Sequence, residues 1–219
     1  MNNSLLLRRR NPFGFSVTLW LVIANSILFV LFLLLISLDI IPIEFIAIKP
    51  SNILAGNYLW TFITSMFMHG SLFHIFANMF SLLFIGTLVE RILGKKRYLY
   101  FYLISGLLAG AFFVLLSLFF PADLDTFAVG ASGAVFGLVG LLMLLTPNLP
   151  VYVMLIPIPI KMKYAAPGIL LALWLISIAG KVPIGNTAHL GGLLSGLFYG
   201  IYLKNKYKRK TRSISRHFS

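Results

Sequence analysis

Long apolar segments alternate with short polar ones along almost the whole chain. A helix needs about 20 apolar residues to cross the hydrocarbon core of a bilayer. The stretches that approach this length predict six helices, at residues 17–38, 61 or 67–90, 98–120, 132–146, 165–180 and 187–203. The pattern therefore predicts an all-α membrane protein folded as a bundle of six transmembrane helices.

The connections between these segments differ in character. Residues 39–60 are too polar and too interrupted by Pro42, Pro50 and Gly56 to span, and are predicted to lie partly in the membrane interface. Residues 121–125 form an acidic turn, and the apolar but proline-containing stretch 151–160 is predicted to be an extended connection. The cationic tail, residues 204–219, is predicted to be disordered.

Composition leaves little room for a second domain. The 219 residues are 59% hydrophobic and 11% charged, against about 25% charged in a soluble domain. We expect a basic N-terminus at residues 1–16, a helical domain at 17–203 and the basic tail. The first apolar segment is too long for the core of a signal peptide, which predicts a retained helix. With no cysteine, thiolate catalysis and disulfides are excluded.

The formal charge of +13 indicates how the chain is oriented in the membrane rather than nucleic-acid binding. Most Lys and Arg residues fall in four clusters, at 8–10, 91–97, 161–163 and 204–216. Clusters at alternate segment ends are typical of cytoplasmic loops. Both termini are therefore predicted to be cytoplasmic, and the expected partner of the basic residues is the lipid bilayer, not nucleic acid.

Four polar residues interrupt the apolar segments, and three of them lie at one depth. His74, Ser132 and His189 lie 16, 15 and 14 residues from the cytoplasmic ends of their segments. At about 1.5 Å per residue, all three lie roughly 21–24 Å above the inner face. Asn78 follows His74 by one helical turn on the same face. A shared depth predicts that these side chains converge.

Their chemistry is suited to nucleophilic acyl transfer. A serine hydroxyl needs a base to take its proton, and neutral histidine is the natural one. Glu90 lies at the cytoplasmic end of its segment and the other four acids lie in outer loops, so no carboxylate is placed to orient the imidazole, and Ser132 and His189 are predicted to form a dyad rather than a triad. Asn78, His74 and the Ser132 backbone N–H are candidate donors to an oxyanion.

Glycines indicate which helices touch. The fourth segment carries Gly133, Gly137 and Gly140, and the sixth carries them at positions 192, 196 and 200. Small residues at this spacing let transmembrane helices approach closely. The two segments are therefore predicted to be neighbours, as a Ser132–His189 hydrogen bond requires.

Each polar residue also has a simpler interpretation. Ser132 could cap its helix, and the histidines and Asn78 could make ordinary interhelical hydrogen bonds. His69, near the outer boundary, is interpreted as structural, and His217 in the tail as incidental.

Three motifs together are characteristic of one family. They are Phe67-Met68-His69-Gly70 followed by His74-x-x-x-Asn78, then Gly130-Ala131-Ser132-Gly133, then Ala188-His189-x-x-Gly192-x-x-x-Gly196. From Gly56 to about Gly200, the chain resembles the rhomboid intramembrane serine proteases.

The resemblance implies a six-helix core with a water-accessible cavity open to the extracytoplasmic side of the cell membrane. It implies that Ser132 is the nucleophile, that His189 is the base and that His74 and Asn78 bind the oxyanion. Phe136 corresponds to an aromatic residue that stacks on the catalytic histidine. The implied substrates are transmembrane proteins cut in or near their helices, and the fifth segment is the implied lateral gate.

Two positions depart from the family pattern. Thr61 follows Trp60 where many relatives have Arg, and Phe136 stands where many have Tyr. Neither position belongs to the dyad, so activity is expected.

Three other functions compete with the protease. A catalytically silent scaffold that binds membrane proteins is disfavoured by the presence of both Ser132 and His189. A transporter or proton path is disfavoured because the segments hold no central carboxylate and no convincing repeat. A metal-dependent hydrolase is disfavoured because there is no HExxH motif. No metal or other cofactor is predicted.

Overall fold

The computed structural model describes residues 16–153, 157–180 and 184–218. The predicted basic N-terminus, including Arg8 to Arg10, lies almost wholly outside the described residues, as does Lys181. The described chain is mostly helical. Its helices are α1 (Val17–Ser37), α2 (Pro50–Leu54), α3 (Thr61–Thr64), α4 (Leu72–Ser81), α5 (Thr87–Leu93), α6 (Lys95–Ser117), α7 (Ser132–Leu145), α8 (Met162–Gly180), α9 (Asn186–Lys206) and α10 (Lys208–His217).

Shorter elements complete the connections. A π-helical turn, Leu82–Gly86, joins α4 to α5 in one continuous rod. Single 3₁₀ turns lie at Ile43–Phe45, Ser65–Phe67 and Pro121–Asp123. Strands β1 (Pro150–Val151) and β2 (Ile160–Lys161) pair antiparallel, with Pro150 opposite Lys161. The predicted extended connection between α7 and α8 thus contains a short pair of strands, and residues 154–156 lie outside the described residues.

Four helical rods in the described residues are long and apolar enough to cross a membrane. They are Val17–Ser37, Leu72–Leu93, Lys95–Ser117 and Met162–Gly180. α7 has only 14 residues, which corresponds to about 21 Å of helix. α9 has 21 residues but is not one of these four rods. The prediction of a helical membrane protein is confirmed, whereas the count of six spans stays a prediction.

The second predicted segment begins later than its apolar pattern suggests. Residues 61–67 form α3 and a 3₁₀ turn, and the spanning helix starts only at Leu72. Ser71 ends the break because its side chain accepts a hydrogen bond from the His74 N–H, 3.1 Å away, which satisfies a free donor of the first turn. His69 and Gly70 therefore lie ahead of the helix rather than within it.

α7 packs against both α6 and α9, which also contact each other, and most of its residues are buried. A Cβ atom on Gly192 would collide with the Gly133 carbonyl oxygen, and one on Gly196 with the Gly137 carbonyl oxygen. The two backbones are in direct contact at both levels. The prediction that these helices are neighbours is confirmed, and the glycines are what allows the contact.

This contact predicts a stability difference between two glycines. Gly196→Ala should lower the free energy of unfolding by about 1–3 kcal/mol, because the methyl group meets rigid backbone that cannot move aside. Gly168→Ala in α8 is the matched control, since nothing lies within 4 Å of its Cβ position and alanine favours a helix. Thermal unfolding of both variants in detergent measures the difference. Equal midpoints would show that α7 and α9 do not touch at Gly196.

The helix ends that carry Lys and Arg meet at one end of the bundle, here called the basic end. The Glu90 carboxylate, near the end of α5, accepts hydrogen bonds from the Val17 and Thr18 N–H groups at the start of α1, at 3.0 and 2.9 Å, and from the Thr18 hydroxyl at 2.7 Å. Arg97, in the first turn of α6, lies 5.9 Å from the ring centroid of Tyr207, just beyond α9. These contacts support the predicted placement of the basic clusters on one side.

The tail forms a helix, so the prediction of disorder is wrong. α9 continues to Lys206 and α10 occupies most of the remaining residues. Thr211 and Ile214 are buried where α10 packs on α7 and α9. The basic composition of the tail obscured these two inward-facing positions, which stabilise a helix by tertiary contact rather than by propensity.

At the opposite end, the long connection between α1 and α4 is bonded to the loop that precedes α7. Ile48 and Ala128 exchange backbone hydrogen bonds of 3.1 and 2.8 Å. The Asp125 carboxylate accepts a 2.8 Å hydrogen bond from the Ser51 hydroxyl and lies 3.1 Å from Lys49 Nζ. The Ser51 hydrogen bond, with help from Lys49, holds the pKa of Asp125 below its ordinary value.

The same connection carries an exposed aromatic group. Phe45, Tyr58 and Trp60 lie with ring centroids 5.0–6.0 Å apart, and Trp60 Nε1 donates to the Phe45 carbonyl at 2.9 Å. Thr64 Oγ1 donates to the Ile46 carbonyl at 2.8 Å. Exposed aromatic rings are typical of the membrane interface, and these two hydrogen bonds brace the connection without an arginine at position 61.

Candidate active site

Ser132 is the first residue of α7, and its side chain does not cap the helix. The capping position is Ala131. Gly130, just before it, has φ of +120°, a backbone conformation that strongly favours glycine. The Gly130 N–H donates to the Ser65 carbonyl at 2.8 Å. This anchored turn presents the Ser132 hydroxyl at the head of the helix, half-buried.

His189 lies opposite, in the first turn of α9, and is buried. Its Nε2 atom is 2.8 Å from Ser132 Oγ. The Phe136 ring, one turn along α7, stacks on the imidazole with centroids 4.6 Å apart and an interplanar angle of 20°. The structure therefore brings the serine and histidine, 57 residues apart in sequence, into hydrogen-bond contact.

The glycine contact between the helices sets this distance. Gly192 follows His189 by three residues, and its Cα faces the Gly133 carbonyl, next to Ser132. A larger residue at position 192 would separate the two helix starts. Gly192 and Gly196 thus support the pair by allowing α9 to lie directly on α7.

His74 reaches the same place from α4. A Cβ atom on Gly130 would lie 2.8 Å from His74 Nε2 and 3.7 Å from Ser132 Oγ. The His74 ring and the Ser132 hydroxyl therefore both lie close to Gly130. His74 Nδ1 accepts a 3.3 Å hydrogen bond from the Gly70 N–H. A neutral imidazole whose Nδ1 is an acceptor carries its proton on Nε2. His74 therefore presents an N–H donor toward the Gly130 turn.

Asn78 lies one turn deeper on α4 and is buried. Its Nδ2 donates to the His74 carbonyl at 2.9 Å. An amide nitrogen has two hydrogens, so one N–H remains for another acceptor.

His69 lies just outside α4 and is 1% exposed. Its ring centroid is 5.1 Å from that of His74 and 6.0 Å from that of Phe29 on α1. The Ala131 N–H points at His69 Nε2 over a long 3.5 Å contact. Through these contacts His69 supports the loop ahead of Ser132, which is consistent with a structural role.

The carboxylates of the chain lie away from this group. Glu90 is bonded to the start of α1 at the basic end, and the other acids lie in the connections. Within the described ranges, His189 Nδ1 has no hydrogen-bond partner. In the same ranges, no three His, Asp or Glu side chains are grouped to hold a metal ion. The arrangement is therefore a serine and a histidine with no carboxylate beside the histidine among the described residues.

Several positioning groups were not found from the sequence. The Ser65 carbonyl and the Gly70 N–H act through backbone atoms, which leave no side-chain signal. The Ser195 hydroxyl donates to Ser105 Oγ at 2.9 Å and joins α9 to α6 behind the site. Both serines lie in apolar segments, so the depth comparison that selected Ser132 could also have paired them.

Known proteins are similar to most of this chain. The family model of the Rhomboid domain matches residues 56–206. RHOMBOID-like protein 1 of Arabidopsis thaliana is 38% identical over 157 residues, which is 70% of this chain and 37% of the relative. Rhomboid protease GluP of Bacillus subtilis (strain 168) is 30% identical over 154 residues, 68% of this chain and 27% of the relative.

A third relative bears on activity. Inactive RHOMBOID-like protein 8 of Arabidopsis thaliana is 32% identical over 143 residues, 64% of this chain and 37% of the relative. The chain spans only about a third of the length of these curated relatives. The family model nevertheless covers well over half of the chain, so the identification made from the three motifs is confirmed: the chain belongs to the rhomboid family.

Proposed function

We propose that this chain is an intramembrane serine endopeptidase that cleaves transmembrane segments of membrane proteins. The observation that carries the proposal is the 2.8 Å contact between His189 Nε2 and Ser132 Oγ. It occurs at the head of a mostly buried helix in a bundle of apolar helices. A catalytic base must lie within hydrogen-bond reach of the proton it removes, and this contact satisfies that condition.

The reaction proceeds in two acyl-transfer steps. Ser132 Oγ attacks the scissile carbonyl carbon while its proton passes to His189 Nε2. The tetrahedral intermediate collapses as the C–N bond breaks, and the leaving amine takes the proton from His189. Water, deprotonated by the same imidazole, then hydrolyses the Ser132 ester and frees a carboxylate. The stacked Phe136 ring keeps the imidazole aligned without a carboxylate partner.

We assign three donors to the developing oxyanion. The Ser132 N–H belongs to the first turn of α7, where no intrahelical acceptor exists and partial positive charge accumulates. His74 contributes its Nε2 hydrogen, and Asn78 its second amide hydrogen. Donors that are fixed before the reaction stabilise the transition state without reorganisation.

Asn78→Ala should therefore lower kcat by about 10²–10³-fold, while KM changes far less, because the donor acts mainly on the oxyanion. Asn57→Ala, on the exposed connection before α3, is the matched control and should leave both constants unchanged. Initial rates over a range of substrate concentrations measure the split. A change confined to KM would remove Asn78 from the oxyanion site.

The proposed topology follows from the basic end. We place six spans in the cell membrane, with both termini and the basic end in the cytoplasm and the dyad opening to the extracytoplasmic side. The opposite end of the bundle carries Asp125, Asp123 and the exposed aromatic group, which suits the outer interface. α8 is mostly exposed along its length and is the proposed lateral gate for substrates.

Cleavage in a reconstituted bilayer tests the function. The purified chain in liposomes should convert a single-pass membrane protein into two fragments, with the new ends within or beside its membrane segment. The alternative function is a catalytically silent scaffold that binds membrane proteins, and one relative carries the name inactive. A substrate that is bound but recovered intact would favour the scaffold. The direct contact of Ser132 with His189 supports the protease.

A further inference from the structure

A cleft opens at the basic end, between α10 and the ends of α7 and α9. Its volume is about 300 Å³, which is enough for a small polar ligand. Its lining includes Leu144, Pro147, Lys204, Lys208, Thr211 and Arg212. It lies far from the Ser132–His189 pair, which is at the opposite end of α7.

The cleft exists because α10 folds back on the bundle. Tyr207 interrupts the helical backbone between α9 and α10, with φ of −125° and ψ of 47°. Thr211 and Ile214 are buried, and the Thr211 hydroxyl donates to the Tyr207 carbonyl at 3.1 Å. Lys208 and Arg212 are four residues apart, so they lie one turn apart on the same face of α10.

The cations of the cleft have no acidic counterpart nearby. Residues 186–218 contain no Asp or Glu. Glu90 is held by the start of α1, and the Lys49–Asp125 ion pair is at the other end of the bundle. Like charges one turn apart on a helix repel each other. An anion bound among Lys204, Lys208 and Arg212 would relieve that repulsion.

The position of the cleft indicates that the anion is a lipid headgroup rather than a free anion. It opens where α7 and α9 end, which the proposed topology places at the level of the lipid headgroups. Leu144 and Pro147 give one wall an apolar surface beside the cations. We propose that the cleft binds one anionic phospholipid, with Lys204, Lys208 and Arg212 on its phosphate oxygens and Leu144 and Pro147 against its glycerol and first acyl carbons.

Native mass spectrometry of the full chain in detergent tests this directly. Phosphatidylglycerol should be retained as one tightly bound molecule. Phosphatidylcholine should bind at least about tenfold more weakly, because cations attract a net negative headgroup by roughly 1 kcal/mol each. Equal retention of the two lipids by the wild-type chain would overturn the proposal without any variant.

Matched variants separate a site from diffuse surface charge. The triple variant Lys204→Gln, Lys208→Gln, Arg212→Gln should lose phosphatidylglycerol affinity about tenfold or more. The control Arg209→Gln, Lys210→Gln, Arg216→Gln removes the same charge from exposed positions of α10 that do not line the cleft, and should lose about twofold or less. Equal losses in the two variants would overturn the site.

Two further measurements keep the test decisive. Thermal unfolding shows whether the triple variant is folded, and if it is not, Lys208→Gln alone should still weaken phosphatidylglycerol binding severalfold while unfolding normally. No loss in a folded variant would contradict the proposal. A large excess of inorganic phosphate should leave the lipid bound, and complete displacement would show that the cleft recognises free phosphate instead.

Discussion

Ser132→Ala should abolish cleavage of a transmembrane substrate, with a loss in rate of at least about 10³-fold, while the protein remains folded. The hydroxyl is the only group removed, and without it no acyl-enzyme ester can form. The small hydrogen-bond loss at the head of α7 should shift stability by only about 1 kcal/mol. Fragment appearance in reconstituted liposomes measures the rate, and thermal unfolding measures the fold.

Ser26→Ala is the control for this result. Ser26 lies on an exposed face of α1, where its hydroxyl donates to the Val22 carbonyl one turn away. The substitution makes the same chemical change in another membrane helix and should leave the rate unaltered. Cleavage that continues undiminished in Ser132→Ala would refute the assignment of the nucleophile.

His189→Ala should reduce cleavage by a similar factor, about 10³-fold or more. Residues that act as one unit give losses that do not add, so the double variant with Ser132→Ala should be no slower than either single one. The loss in His189→Ala is expected because the Ser132 hydroxyl has no other base within hydrogen-bond distance among the described residues. Initial cleavage rates of the three variants measure this.

His217→Ala provides the matched control for the imidazole. His217 is exposed near the end of α10, remote from the dyad, and its removal should leave cleavage at the wild-type rate. A His189→Ala variant that retained a substantial fraction of activity would show that another group takes the serine proton.

The contact between Ser132 and His189 could be predicted because the depth of a residue in a membrane helix follows from its position in the sequence. Counting from the basic ends placed Ser132 and His189 at one level, and the glycines at 192 and 196 identified the helices that touch. The structure places the two side chains 2.8 Å apart. A hydroxyl and an imidazole inside apolar segments are conspicuous, and their alignment needs only the regular rise of a helix.

The remaining features depend on contacts that have no periodic signature. The break at His69 and Gly70 is set by the Ser71 cap and by the Ser65 carbonyl, which bonds Gly130 across the chain. Apolar residues continue through this region, so hydropathy alone joined it to the helix. α10 was missed for the opposite reason, since its charges concealed the two residues that pack inward.

Thr61 illustrates a third limit. The sequence shows that an arginine of the family pattern is replaced, but not what braces the outer connection instead. In the structure, Trp60 Nε1 and Thr64 Oγ1 donate hydrogen bonds to the Phe45 and Ile46 carbonyls of this connection. Backbone acceptors of this kind are present at every residue, so only the folded geometry identifies the ones that are used.

The most direct test of the account is to map where a fluorophosphonate probe reacts with the wild-type and His189→Ala chains in a lipid bilayer. A single phosphonyl ester on Ser132 Oγ, with fluoride released, is expected in the wild-type chain and almost none in His189→Ala. An adduct on a different residue, or equal labelling of Ser132 when the imidazole is absent, would contradict it.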